Sequence, residues 1–294
     1  MSGSSVRRYD SDSGNVSQIA AELHVTNLLR GTIQKNGDKF RVTVRLIDAS
    51  RNAELWVKSY DCPFSEVIAT QNIIAHEIAR VLGMQLTEPQ QRALNAITTS
   101  NPLAYNAYLK GRYLWLQRKP DSYRQAKDYF DQAIALDPNY AQGYAGLADA
   151  YQFLAGLDQH QRKENFAKAK AACKRALELD PTLAQAHASA GLVAMNYDWD
   201  WALAEQELRH AIALNPNEAI FYDWYAEYLM AVGRASESVD NMERARELDP
   251  FSAIINSDLG KQLYFSRLYD EAEAQLKETL QMHPDFMWAH LYLG

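Results

Sequence analysis

Three kinds of residue in this chain of 294 amino acids have types and spacings that bear on chemistry: a pair of carboxylates, scattered histidines and two thiols. Asp198 and Asp200 stand two apart in "NYDWDWA", where two carboxylates could divide general acid and general base work. They alternate with Tyr197, Trp199 and Trp201. Aspartates that cap a turn or face water, between aromatic rings wedging neighbouring helices, account for the same run and are the preferred reading. The histidines, at 24, 76, 160, 187, 210, 283 and 290, show no metal-ligand spacing, and "AHEIA" at 75–79 lacks the second histidine of a zinc helix. No Gly-x-Gly-x-x-Gly and no Gly-x-x-x-x-Gly-Lys occurs among the 13 glycines, and Gly143 and Gly146 lie in a helical stretch where they serve packing. "QHQRKEN" at 159–165 reads as a solvated loop. Cys62 falls in a loop candidate and Cys173 in a packing position, so the two make no disulfide framework. The sequence implies no catalytic residue, no cofactor and no metal.

Composition narrows the class further. With 47% hydrophobic and 23% charged residues the chain is globular, and no run approaches the ~20 apolar residues of a membrane span. The start, "MSGSSVRRYDSDSG", lacks the apolar centre of a signal peptide. A cytoplasmic location is expected, or a periplasmic one if a longer parent protein has an upstream span. Residues 1–98 carry 11 Lys and Arg against 10 Asp and Glu, whereas residues 99–294 carry 19 against 27. Phosphate backbones require clustered cations, so direct nucleic-acid binding is not expected.

The elements that must position any site follow from the prolines. Pro138, Pro181, Pro216, Pro250 and Pro284 recur at spacings of 43, 35, 34 and 34 residues, each after a stretch with helical apolar periodicity. Aligned on them, Phe130, Cys173, Leu208, Met242 and Leu276 fall in one column. Ala126, Ala169, Ala204, Ser238 and Ala272 fall in a second, and Ala133, Ala176, Ala211, Ala245 and Thr279 in a third. Small residues at helical spacing line a face that a neighbouring helix approaches closely. The pairs Asp137-Pro138, Asp180-Pro181, Asn215-Pro216 and Asp249-Pro250 read as an N-cap followed by the first helical turn, and Gly233 marks a break within a unit. Each unit is thus two antiparallel helices.

The unit resembles the tetratricopeptide repeat, on "AYNAYLKGRYLW", "AQGYAGLADAY", "AHASAGLVAM" and "IINSDLGKQLYF". Five repeats are expected at about 104–140, 141–183, 184–218, 219–252 and 253–286, with the first helix of a sixth. About nine extra residues of the second repeat are placed between its helices, in "LAGLDQHQRKEN". Tyr225, Ala226 and His283 depart from the usual residue types.

Residues 1–98 read differently. "NLLRGTIQK", "FRVTVRLID" and "ELWVKSY" alternate with period two and are joined through Asn36-Gly37-Asp38 and the turn at 49–53, giving three antiparallel strands with Phe40, Val42, Val44 and Leu46 facing a core. A helix over about Ser65 to Leu82, ending at Gly83, covers that face. This part resembles the TolB amino-terminal-like (FlgO-like) domain of bacterial signalling proteins, on "SSVRRY" at 4–9, the stretch at 19–49, "LWVKSYD" at 55–61 and "IATQNIIAHEIARVL" at 68–82. The resemblance implies a place downstream of a winged-helix, adenylate cyclase or Ser/Thr kinase effector. The domain lacks the strand and helix that such domains start with, and the last repeat ends after one helix, so a piece of a longer protein is expected.

The expected architecture is mainly α: a right-handed tetratricopeptide α-solenoid over 99–294, preceded by a small, incomplete α+β domain over 1–98. The resemblance to tetratricopeptide repeats implies a peptide-binding groove on the first helix of each unit. By column its residues are Tyr105, Tyr108, Arg112 and Trp115; Gln142, Asp149 and Gln152; Gln185, Leu192 and Met195; Asp223, Glu227 and Met230; Lys261 and Tyr264. Tyr105, Tyr108 and Trp115 are expected to anchor a protein or peptide partner, and Asp223 and Glu227 to select positive charge on it. The basic clamp for a terminal carboxylate is missing, since its columns hold Tyr108, Gly146, Gln185 and Ser189. A sensory or regulatory role for an attached effector is the alternative.

Overall fold

The computed structural model describes residues 16–37, 39–84 and 99–294. The segment at 4–9 and Asp38 lie outside them. Strands β1 (Asn27–Asn36), β2 (Lys39–Asp48) and β3 (Ala53–Pro63) form an antiparallel sheet in the order β1-β2-β3. Alternation along β2 buries Val44 and Leu46 and leaves Arg41 and Arg45 outside, where they pair with Asp61 (2.8 Å) and Glu54 (3.2 Å) of β3. Helix α1 (Val16–Glu22) precedes the sheet. Helix α2 (Val67–Val81) follows a 3₁₀ turn at Phe64–Glu66 and gives way to Gly83 at φ +63°. The Tyr60 hydroxyl donates to Glu77 at 3.0 Å, tying α2 to β3. Cys62 is the penultimate residue of β3, paired with Phe40 and buried, so the loop expected there is a strand. Leu29 and Ile33, on the face that carries Leu46, remain exposed, so cover is incomplete at β1.

The rest is a stack of helix pairs: α3 (Pro102–Trp115) with α4 (Pro120–Leu136), α5 (Ala141–Leu157) with α6 (Arg162–Leu179), α7 (Ala184–Val193) with α8 (Trp201–Leu214), α9 (Ala219–Ala231) with α10 (Ala235–Leu248), and α11 (Ala253–Phe265) with α12 (Tyr269–Met282). A first helix, α13 (Met287–Leu293), begins the sixth unit. Every residue of the three aligned columns is buried, at 3% exposure or less. Three members of the large column, Phe130, Leu208 and Leu276, are seated on glycines of the first helices. A Cβ at Gly111 would lie 2.6 Å from Phe130, at Gly146 2.5 Å from the same ring, at Gly191 2.7 Å from Leu208 and at Gly260 2.6 Å from Leu276.

Two expectations about boundaries are corrected. None of the four expected pairs works as an N-cap and first-turn pair; that role falls to Asn101-Pro102, which is not among them, with the Asn101 side chain accepting from the Leu103 and Ala104 amides. At the repeat boundaries the acidic or amide residue ends one helix and opens a β-turn, and the next helix starts four residues later. Asp137, Asp180 and Asn215 accept from the amides two residues on, at 3.0, 2.9 and 3.3 Å. Proline's fixed φ suits the second position of that turn. The extra residues of the second repeat do not form a loop either. They lengthen α5 and α6 to 17 and 18 residues around a turn at 158–161, because "RKENFAKAKAAC" consists mainly of good helix formers. The run at 159–165 is therefore half helix.

Two substitutions in α5 should have opposite signs. A methyl placed on Gly156 would meet nothing within 4 Å, so Gly156→Ala should gain up to about 1 kcal/mol from helix propensity. Gly146→Ala pushes on a ring already held by Gly111, and overpacking of about 1–3 kcal/mol outweighs that gain. Chemical denaturation should find the first variant more stable than the parent and the second less so.

Candidate peptide-binding face

The first helices α3, α5, α7, α9 and α11 carry the expected groove residues, and the structure brings most of them together on the inner face. They meet each other more closely than a peptide groove allows. The Tyr108 hydroxyl donates to Gln185 at 3.2 Å across two repeats, and the rings of Trp115 and Trp224, three repeats apart, lie edge to face at 6.3 Å. Tyr108 packs on Phe130 and Tyr140, with centroids at 5.9 and 5.4 Å, and burial pushes its hydroxyl pKa up. Trp115 is 1% exposed, between Phe153, Trp224 and the guanidinium of Arg118, which stacks 3.8 Å from its ring centre. It holds the repeats together and offers no surface to a ligand. Tyr105 donates to Gln71 of α2 at 2.8 Å, so it joins the solenoid to the amino-terminal elements.

The charged residues are matched internally. Asp149, 1% exposed, accepts from Arg112 (3.2 Å), Gln185 (2.8 Å) and the Ser189 hydroxyl. Burial raises its pKa, against the pull of Arg112 and those hydrogen bonds. Gln142, Arg112, Asp149, Gln185 and Glu218 surround a polar cavity of about 250 Å³ beneath Trp224. Lys261 sits 2.7 Å from Glu227 and 2.8 Å from Asp258, beside buried Asp223. The positive charge that Asp223 and Glu227 are expected to select on a partner is thus supplied by Lys261. Gln152 and Leu192 are buried, and neither polar atom of the Gln152 amide has a partner among the described residues.

The inner face opens at the other end. Met195, Trp201, Met230 and Phe265 wall a recess of about 350 Å³ whose rim includes Arg162 and Trp199. Tyr264 is exposed beside it, with its ring 5.7 Å from Phe265. Of the expected residues, Met195, Glu227, Met230 and Lys261 line this recess. Sequence columns miss Arg118, Trp224, Asp258 and Phe265. The recurrence of aspartate in first helices, at 149, 223 and 258, is a usable signal for one of them; Arg118, in a left-handed turn at φ +56°, gives none. Asp200 caps α8 through the Leu203 amide at 3.0 Å and Asp198 pairs with Lys170 at 2.8 Å, in keeping with the capping reading of that pair. Among the described residues, no group of three or more His, Cys, Asp or Glu could hold a metal ion, and no helix is long and apolar enough to cross a membrane.

Stacked helix pairs with this column pattern define a tetratricopeptide-repeat solenoid, and a tetratricopeptide-repeat family model matches residues 148–183. The chain is 24% identical over 200 residues to the putative adenylate cyclase 3 of Rhizobium meliloti (strain 1021), covering 68% of this chain and 34% of that protein. It is 27% identical over 184 residues to the transcriptional regulator HilA of Salmonella typhimurium, covering 62% and 32%. The chain thus spans about a third of the length of these relatives. In fold it is similar to TTC0263, a thermophilic tetratricopeptide protein of Thermus thermophilus, with a TM-score of 0.53 and 18% identity over 64% of this chain and 96% of that one.

Burial pushes the Asp223 carboxyl well above the ordinary aspartate range, with Asp258 and Glu227 adding to the effect and Lys261 opposing it. A carboxyl with a raised folded-state pKa binds more protons folded than unfolded, so stability falls as pH rises above the unfolded-state value. Asp223→Asn should therefore flatten the loss of stability that sets in as pH rises above the ordinary aspartate range. Lys261→Met, which leaves Glu227 and Asp258 without their cation, should cost about 3–5 kcal/mol. Denaturant titrations over that rise in pH check both.

Proposed function

We propose that this chain is a non-enzymatic interaction module that holds a peptide segment of a partner protein on the inner face of its third to fifth repeats. The observation that carries this reading is the recess walled by Met195, Trp201, Met230 and Phe265. The interior around Trp115 and Trp224 is filled, whereas at this recess Met230 is only half-buried and Phe265 is exposed. The acidic repeats disfavour nucleic acid as the occupant. In this reading the solenoid over 99–294 is the binding unit and residues 1–98 form a TolB amino-terminal-like domain beside it.

The likeness to an adenylate cyclase and to a transcriptional regulator supports a second reading, in which the same surface serves as the sensory region of an effector. Gene sequence on both sides of this frame that encodes a cyclase, kinase or winged-helix domain would support it, and its absence would overturn it.

The interaction reading is tested by selecting random displayed peptides on the full chain. Met230→Glu and Phe265→Ala should each weaken the selected peptides about tenfold or more, as truncation at an interface centre does, while Glu247→Lys on α10 leaves them unchanged. Peptides indifferent to both recess variants, or failure to select any, would remove the inner face as the binding surface.

A further inference from the structure

We infer that Trp199, with Arg162 and Lys163, forms a recognition site for an acidic peptide segment that carries a large apolar side chain. This rests on the inner-face reading and gives the partner a charge opposite to the one the groove columns suggest. Trp199 has φ +58° and ψ 26°, the left-handed region that a bulky L residue rarely occupies, and it is 69% exposed. The same left-handed turn stands two residues before the second helix at Arg118, Gly233 and Arg267, so the backbone belongs to the repeat, and what is particular here is a tryptophan ring at that position facing water. The turn is over-determined by what surrounds it. A π-helical turn at Ala194–Asp198 leads in, the Asp200 amide donates to the Ala194 carbonyl at 3.0 Å, and Asp200 caps α8. Lys170 holds both oxygens of Asp198 at 2.8 Å. The Trp201 ring props Trp199 edge-on, with centroids 6.0 Å apart. The π-turn, which the other units lack among the described residues, is a feature frequent at functional sites.

Trp199 stands between two recesses of different character. On one side is the recess of about 350 Å³ with Met195, Met230 and Phe265 in its walls. On the other is one of about 310 Å³ lined by Gln159, Arg162, Lys163, Asn196 and Tyr197. Arg162 and Asn196 line both. The Arg162 guanidinium lies over the Phe166 ring at 5.1 Å, and neither it nor Lys163 is paired with a carboxylate among the described residues. The carboxylates of the inner face, by contrast, already share Lys261. An incoming cation therefore finds its counter-charges occupied, and an incoming carboxylate finds two cations open. On repeats with 27 acidic against 19 basic residues, a local basic patch also fixes where an acidic segment can settle. The apolar side chain would lie between Trp199 and the methionines, with the neighbouring carboxylates at Arg162 and Lys163.

The test uses the full chain and three labelled synthetic peptides read by fluorescence anisotropy: one with Phe followed by three Glu, one with Lys for each Glu, and one with Ala for Phe. The first should bind at least about tenfold tighter than either of the others, and the difference between Glu and Lys peptides should shrink with added salt. Trp199→Gly should weaken the acidic peptide about tenfold or more while the unfolding midpoint holds or rises, because glycine adopts a positive φ without strain. Trp199→Asn serves as a second variant with the same expectation. Arg162→Glu with Lys163→Glu should abolish the preference for Glu over Lys. No binding of the acidic peptide, equal binding of the Glu and Lys peptides, or indifference to both Trp199 variants would overturn the inference. Displayed peptides that need Met230 but neither Trp199 nor acidic residues would leave the inner-face reading standing and remove this one. An acidic peptide that needs Trp199 and Arg162 but ignores Met230→Glu would do the reverse.

Discussion

The close seat of a large second-helix side chain on a first-helix glycine, at Phe130, Leu208 and Leu276, is the contact on which the solenoid depends. Phe130 shows it most fully: Gly111 in its own repeat and Gly146 in the next both press on the ring, so one side chain fixes the packing within a unit and between units. Because no Cβ stands in the way, the helices approach closely, and the rotation from one pair to the next is set by that approach. The same geometry then dictates what the inner face can hold. Repeats that turn tightly bring the first helices of units one to four within reach of each other, as the contact of Trp115 with Trp224 records.

That convergence accounts for the buried polar residues of the interior. Arg112, Asp149, Gln185 and Ser189 come from three different repeats and satisfy one carboxylate, while Lys261 answers Glu227 and Asp258. Ion groups of this kind are weak evidence of stability, since desolvation offsets most of the attraction. They do penalise any register of repeats that would leave a charge unpaired. A stack built from near-identical alanine columns has few other means of choosing one curvature, and these networks tie one repeat to the next while the Tyr108–Gln185 hydrogen bond reaches across two.

The repeat architecture is legible in the sequence because it depends on near-neighbour rules. The three columns need only helical spacing and the proline register, and all of them are buried where expected. The strand pattern at 40–46 is legible for the same reason. The boundary aspartates fall a few residues from their expected role because an N-cap and the first residue of a β-turn draw on the same residue types, and only the amide that the side chain reaches distinguishes them. The second repeat's extra residues suggest a loop on length alone, although their composition favours helix. The inner face is the least legible part. Columns identify which side of a helix points inward, but the distance to the opposite wall sums the rotations of several repeats, and no single position encodes it. Trp115 therefore carries a groove-column address and a core environment.

The aromatic run at 197–201 reverses that lesson. Its alternation with aspartates suggests rings wedged between repeats, and for Tyr197, stacked on Phe166 at 5.6 Å, that holds. Trp199 takes the opposite course because it occupies the left-handed turn before the second helix, the position of the exposed Gly233 and Arg267 in their units. The two aspartates, engaged by Lys170 and by the α8 amide, keep the turn from relaxing. A residue that packing would place inside is thereby held outside, at the point where the inner face changes from filled to open. The backbone of that arrangement is the repeat's own turn, but hydrophobic burial does not favour a ring of this size there, and the proposed contact with an acidic peptide would cover it.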